Sequence, residues 1–144
     1  MNAALELDDV MRLGQGSLNH LAEIGERLNP QDEAARARFA REVVAVEAII
    51  KQTWQLVALL ARRAPSCEET AQIWKTMRDF TDTALAALSR LREAYPTCGT
   101  PALHDLALDY RAAAEQRYQQ NLEATLCQQT TLPEGLLPPM TSRA

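Results

Sequence analysis

Apolar residues recur at three- and four-residue spacing along nearly the whole chain, and the alternating pattern of a half-buried strand is absent. One stripe runs Leu7, Met11, Gly14, Leu18, Leu21, Gly25 and Leu28. A second runs Phe39, Val43, Val46, Ile50, Trp54, Val57 and Ala61, and a third Ile73, Met77, Phe80, Ala84, Leu88, Leu91 and Tyr95. The fourth is Leu103, Leu106, Tyr110, Ala114, Tyr118 and Leu122. Ala, Leu, Glu, Gln and Arg dominate between these positions, and all five are good helix formers.

Turn chemistry separates the stripes. In "LNPQDE", Asn29 is the expected N-cap and Pro30 the first helical residue, where its missing N–H costs nothing. In "PSCEE", Ser66 and Glu69 form a capping box. In "YPTCGTPAL", one helix stops before Pro96 and the next starts with Thr100 as cap and Pro101 behind it. The spacing therefore predicts helices at roughly 4–28, 30–64, 67–95 and 101–128. Connections this short force successive helices to run antiparallel. The expected fold is a single-domain, all-α, up-down four-helix bundle over residues 1–128, with a Pro-containing C-terminal tail at 129–144.

Reflecting the chain about its turns gives the expected neighbours. Trp54 and Trp74 fall at similar heights about the turn near residue 65, as do Phe39 and Leu91, so these side chains should meet in the core. Gly14 and Gly25 lie on the inward stripe, although each helix glycine costs about 1 kcal/mol relative to alanine. Reflection places Gly14 near Val44 and Ala45, and Gly25 near Glu33 and Ala34, so close packing of small residues is the leading explanation. A break of the first helix near Gly14, with Ser17 capping a new start, is the second. "GQGS" carries no phosphate-loop lysine and follows no strand.

Length and composition change the picture little. At 144 residues, with 47% hydrophobic and 24% charged positions, the chain can bury a core without disulfides or metal. A net charge of −4 argues against a general nucleic-acid binder. No apolar run approaches the ~20 residues that span a bilayer, and "MNAALELDDV" lacks the regions of a signal peptide. The expectation is a cytoplasmic protein without membrane contact. Acids outnumber bases over residues 1–33 and bases outnumber acids over 34–64, so the first two helices should attract each other, weakly per pair. The basic "RARFAR", Arg36 to Arg41, reads as a solvated face.

Chemistry-bearing patterns are missing. Ser17 and Pro101 stand three positions before His20 and His104, where a di-iron bundle needs Glu, so no metal or cofactor is expected. No familiar catalytic motif occurs, and the reading leans away from an enzyme. Cys67 and Cys127 reflect to similar heights about the turn near 97 and form a candidate thiol pair. The second helix should outrun the first, leaving Leu59 and Leu60 uncovered beside the polar Gln116, Arg117 and Gln120 and beneath Leu132, Leu136 and Leu137 of the tail. Those eight residues are the candidate interaction surface. The leading function is a small interaction module (adaptor, chaperone-like or regulatory) acting on a protein partner or on itself. The alternative is a small-ligand-binding or catalytic bundle with a pocket near Gly14 and His20, reaching Trp54 and the polar part of the fourth helix.

Overall fold

A computed structural model describes residues 3–130, with side chains from 6 to 127. It is an all-α four-helix bundle: α1 (Ala3–Arg27), α2 (Glu33–Arg63), α3 (Cys67–Ala94) and α4 (Thr100–Thr130). The leucines and aromatics of the four stripes meet in one core, with Leu21, Phe39, Met77, Leu88 and Leu103 fully buried. Burying each of these side chains stabilises the fold by about 1.5–3 kcal/mol. The tail beyond Thr130, including Leu132, Leu136 and Leu137, lies outside the described residues.

Two antiparallel hairpins, α1–α2 and α3–α4, make up the bundle, and α3 with α4 is the most extensively packed pair. The hairpins join through α1–α3, α2–α3 and α2–α4 contacts, and among the described residues α1 does not meet α4. α1 and α3 run parallel at one constant offset, since Gly14 abuts Phe80 and Gly25 abuts Leu91.

Local chemistry sets most helix ends as expected, with two corrections. Ser66 accepts from the Glu69 N–H at 3.1 Å and starts α3. α2, however, begins three residues later than Pro30. Asn29 Oδ1 accepts from the Gln31 N–H at 3.0 Å, and the Asn29 carbonyl accepts from the Asp32 N–H at 3.1 Å, so Pro30 sits inside a tight turn. Asp32 is the cap, accepting from Ala34 and Ala35. Thr100 is not a cap either. Its hydroxyl donates to the Tyr95 carbonyl at 2.8 Å, while Gly99, at φ +83°, turns the chain into α4 and accepts the first helical bond from Leu103.

α1 is continuous through all three of its glycines, and the Ser17 hydroxyl bonds back to the Gly14 carbonyl at 2.8 Å instead of capping a new helix. The inward glycines do make room, but not for small residues. A Cβ on Gly14 would stand 2.8 Å from the Phe80 ring and 3.3 Å from Thr53 Oγ1; one on Gly25 would stand 2.6 Å from Leu91 and 3.6 Å from Phe39. Val44 and Ala45 are instead exposed. The late start of α2 and an axial offset between the helices bring Thr53, about two turns further along, beside Gly14. The same offset corrects the expected gap at the end of α2: Leu60 belongs to the core and Leu59 is half-buried.

One contact spans the bundle. The Tyr95 hydroxyl donates to the Gly25 carbonyl at 2.6 Å, a buried bond that satisfies an acceptor in the last turn of α1 from the end of α3. Tyr95 also packs its ring 5.0 Å from that of Phe39.

α2 has an 18-residue window of mean hydropathy 1.5, long and apolar enough by composition to cross a bilayer; counting uninterrupted apolar runs misses it. Core helices pass the same test, but only 33% of that window is buried here, which leaves apolar surface on its outer side.

Two substitutions test this packing. Tyr95→Phe should lower stability by about 1–2 kcal/mol through loss of the buried hydrogen bond. Gly14→Ala should lower it by about 1 kcal/mol despite better helix propensity, because overpacking against Phe80 costs more than propensity returns. Urea denaturation followed by circular dichroism measures both, and an unchanged or raised midpoint for either would contradict the packing described.

Candidate functional site

On the outer side of the α1–α2 hairpin, Asp9, Leu13, Gly16 and His20 follow one face of α1 at helical spacing, away from the inward stripe. Gly16 is exposed, and a Cβ placed there would meet nothing within 4 Å. Leu13, one turn earlier, is 48% exposed, and Val44 on α2 is 68% exposed. Between the helices lies a mainly apolar groove of about 320 Å³, floored by Val46, walled by Leu13, Gly16, Ala45 and Ile49, and rimmed by Arg12, His20 and Glu42. His20 Nε2 stands 3.9 Å from Glu42 Oε2 with both side chains largely in water, so this pair contributes little to stability.

A second cluster joins α2, α3 and α4. Trp54 and Trp74 meet at 5.1 Å between ring centroids, and Trp54 stacks on Tyr110 at 4.5 Å and 9°. The Arg117 guanidinium lies over both indoles, 4.9 Å and 4.8 Å from their centroids. Next to it, Arg78 sits 5.0 Å over Tyr118 and bonds Glu115 and Asp79 at 3.0 Å each, while Arg111 bonds Asp82 at 2.8 Å. Burial raises the Tyr110 pKa, with Lys51 pulling the other way. Hydrogen bonds from Gln119 and then Arg78 lower that of Glu115. Bonds to Asp79 and Glu115 raise that of Arg78. Every strong charge in this cluster already has a partner on the same or a facing helix, so its chemistry is that of a fastener.

The predicted site residues are dispersed. Leu60 is in the core and Leu59 half-buried; Gln116 and Gln120 are exposed on α4; Arg117 covers the tryptophans. The α3–α4 register, read from Arg78–Glu115 and Asp82–Arg111, brings Cys67, which is half-buried, and Cys127, which is exposed, to the same end of the bundle. Cys98 is buried, its thiol 3.9 Å from the Arg36 carbonyl. The space beside Gly14 is occupied by Phe80 and Thr53, and His20 faces outward beside Gly16, so the two residues do not share a pocket. Expected attraction between acidic α1 and basic α2 is not realised in ion pairs among the described residues; the ion pairs that join helices through Arg link α3 and α4. No group of three His, Cys, Asp or Glu residues able to hold a metal ion occurs among the described residues. The outer groove escaped sequence reading because attention to glycine fell on the inward stripe, although Leu13 and Gly16 share a face with His20.

Comparison with protein-family models, with curated protein sequences and with solved structures returns no match.

The Glu115 shift carries a pH dependence of known sign. Its pKa is lower in the folded chain than in the unfolded one, so its contribution is present above the ordinary glutamate range and is lost as pH falls through that range to the folded value. Thermal melts from neutral to acidic pH should show Glu115→Gln less stable than wild type at neutrality, with the two converging in acid. A constant difference across pH would contradict the assignment.

Proposed function

We propose that this chain is a small helical interaction module that works through protein–protein contacts made by the outer face of α1 and α2. The observation that carries the reading is the apolar groove with Leu13 and Ala45 exposed on its walls. A side chain such as Leu gains about 1.5–3 kcal/mol when taken fully out of water, so a groove that leaves Leu13 in water favours a covering partner. α2 adds to this by burying only a third of its most apolar window within its own fold. The groove is lined by Arg12, His20 and Glu42 at its rim, the mixed polar border expected around an apolar contact patch. A net charge of −4 favours a protein over a nucleic acid as the partner. The aromatic cluster and the α3–α4 ion pairs serve as the rigid support on which this face is presented.

Photo-cross-linking in the cells that express the protein tests this. A benzophenone side chain in place of Ala45, exposed on the groove wall, should yield discrete protein adducts, identified by mass spectrometry, whereas the same group in place of the exposed Ala112 on α4 should yield few. Absence of any protein adduct from position 45 would overturn the reading.

A further inference from the structure

The outer face of α1 carries a projection and a recess one helical turn apart. Gly14 and Gly25 are explained within the chain by Phe80 and Leu91; Gly16 is not, because nothing among the described residues comes within 4 Å of a Cβ placed there. A glycine is a costly choice inside a helix unless something packs against its backbone. Leu13, 48% exposed, stands beside that recess. A projection and a recess on the same face of one helix complement each other when a second identical helix lies across the first in the opposite direction.

We propose that this face is the contact between two copies of the chain, with α1 crossing α1 of the partner antiparallel about a two-fold axis near residues 14 and 15. Leu13 of each copy then seats over Gly16 of the other, walled by Ala45 and Ile49 of that copy. The inference rests on the interaction-module reading and names its partner. Charge follows from the same operation without further choice. Asp9, exposed one turn before Leu13, comes opposite His20, which is 61% exposed one turn after Gly16. His20 then lies between Glu42 of its own chain and Asp9 of the other, and Arg12 comes opposite Ser17. One turn further out, Glu6 and Glu23 fall opposite each other. Their repulsion favours helices that cross at an angle over those that run side by side, and it confines close contact to residues 9–20 and the adjoining part of α2. A patch of that extent is smaller than the ~800 Å² per partner of a standard interface, so the dimer is a weak one in exchange with monomer.

Sedimentation velocity on the full chain from about 5 µM to about 500 µM tests the arrangement. Wild type should pass from monomer to dimer. Leu13→Arg and Gly16→Leu should each weaken association by at least about tenfold, with helicity by circular dichroism unchanged because both positions are exposed. Asp9→Lys should weaken association several-fold, and adding His20→Asp to it should restore dimerisation, which a merely sticky surface would not do. A chain monomeric throughout, a dimer indifferent to Leu13→Arg and Gly16→Leu, or failure of the charge exchange to rescue would each overturn the proposal. The two readings separate cleanly. A monomeric chain whose position 45 still cross-links to a different protein removes the second copy and keeps the module; no association and no cross-link removes both.

Discussion

The absence of side chains at Gly14 and Gly25 sets how close α1 comes to the rest of the molecule. The Phe80 ring occupies the place a Cβ would take at the first, and Leu91, with Phe39 and Tyr95 behind it, does so at the second. Both contacts are needed at once, since they hold α1 parallel to α3 at a single offset. With α1 drawn toward α3 in this way, it lies apart from α4, and its opposite side turns outward together with α2. The exposed groove is therefore a product of the same packing that closes the core.

The two hairpins are held by different physics. α3 and α4 share charged pairs, Arg78–Glu115 and Arg111–Asp82, and α4 meets α2 through stacked rings with Arg117 laid across them. Among the described residues α1 is attached by apolar contact and by a buried phenol bond, with the exposed His20–Glu42 pair at its edge. Salt screens exposed charges and leaves apolar packing and buried hydrogen bonds largely untouched, so ionic strength acts chiefly on the α3–α4 half. Helices fastened by packing alone need shape agreement at every turn, which is why a single methyl at Gly14 matters while one at Gly16 would meet nothing.

Much of this was legible in the residues. Four stripes of three-and-four spacing and the Ser66 cap were enough for the number of helices, their approximate ends and the meeting of Trp54 with Trp74. Register was not, for a specific reason. Asn29, Pro30 and Asp32 each suit a helix start, and only the competition among them, settled by Asn29 folding onto Gln31, places the start at Glu33. A later helix start moves the point about which the chain reflects, and an axial offset between the helices adds to the shift. That is how Gly14 was matched to Val44 rather than Thr53, and how Leu60 was read as surface. The outer groove was hidden for another reason: amphipathic reading seeks what faces inward, and Leu13 with Gly16 acquires meaning only once the other side of α1 is known to be covered. Arg117, taken as part of a polar surface, is polar only at its tip; its plane is used for stacking on the indoles.

Both tryptophans of the chain belong to one cluster, where α2, α3 and α4 join. Their emission accordingly reports on that junction alone. A molecule in which α1 had swung away while the other three helices stayed together would keep native indole fluorescence, and a melt recorded by that signal would pass over the event. Tyr95, bonded to Gly25, is the chromophore placed to register it in the near ultraviolet. Agreement between the two optical signals is thus a direct measure of whether the hairpins part company or come undone as a single cooperative unit.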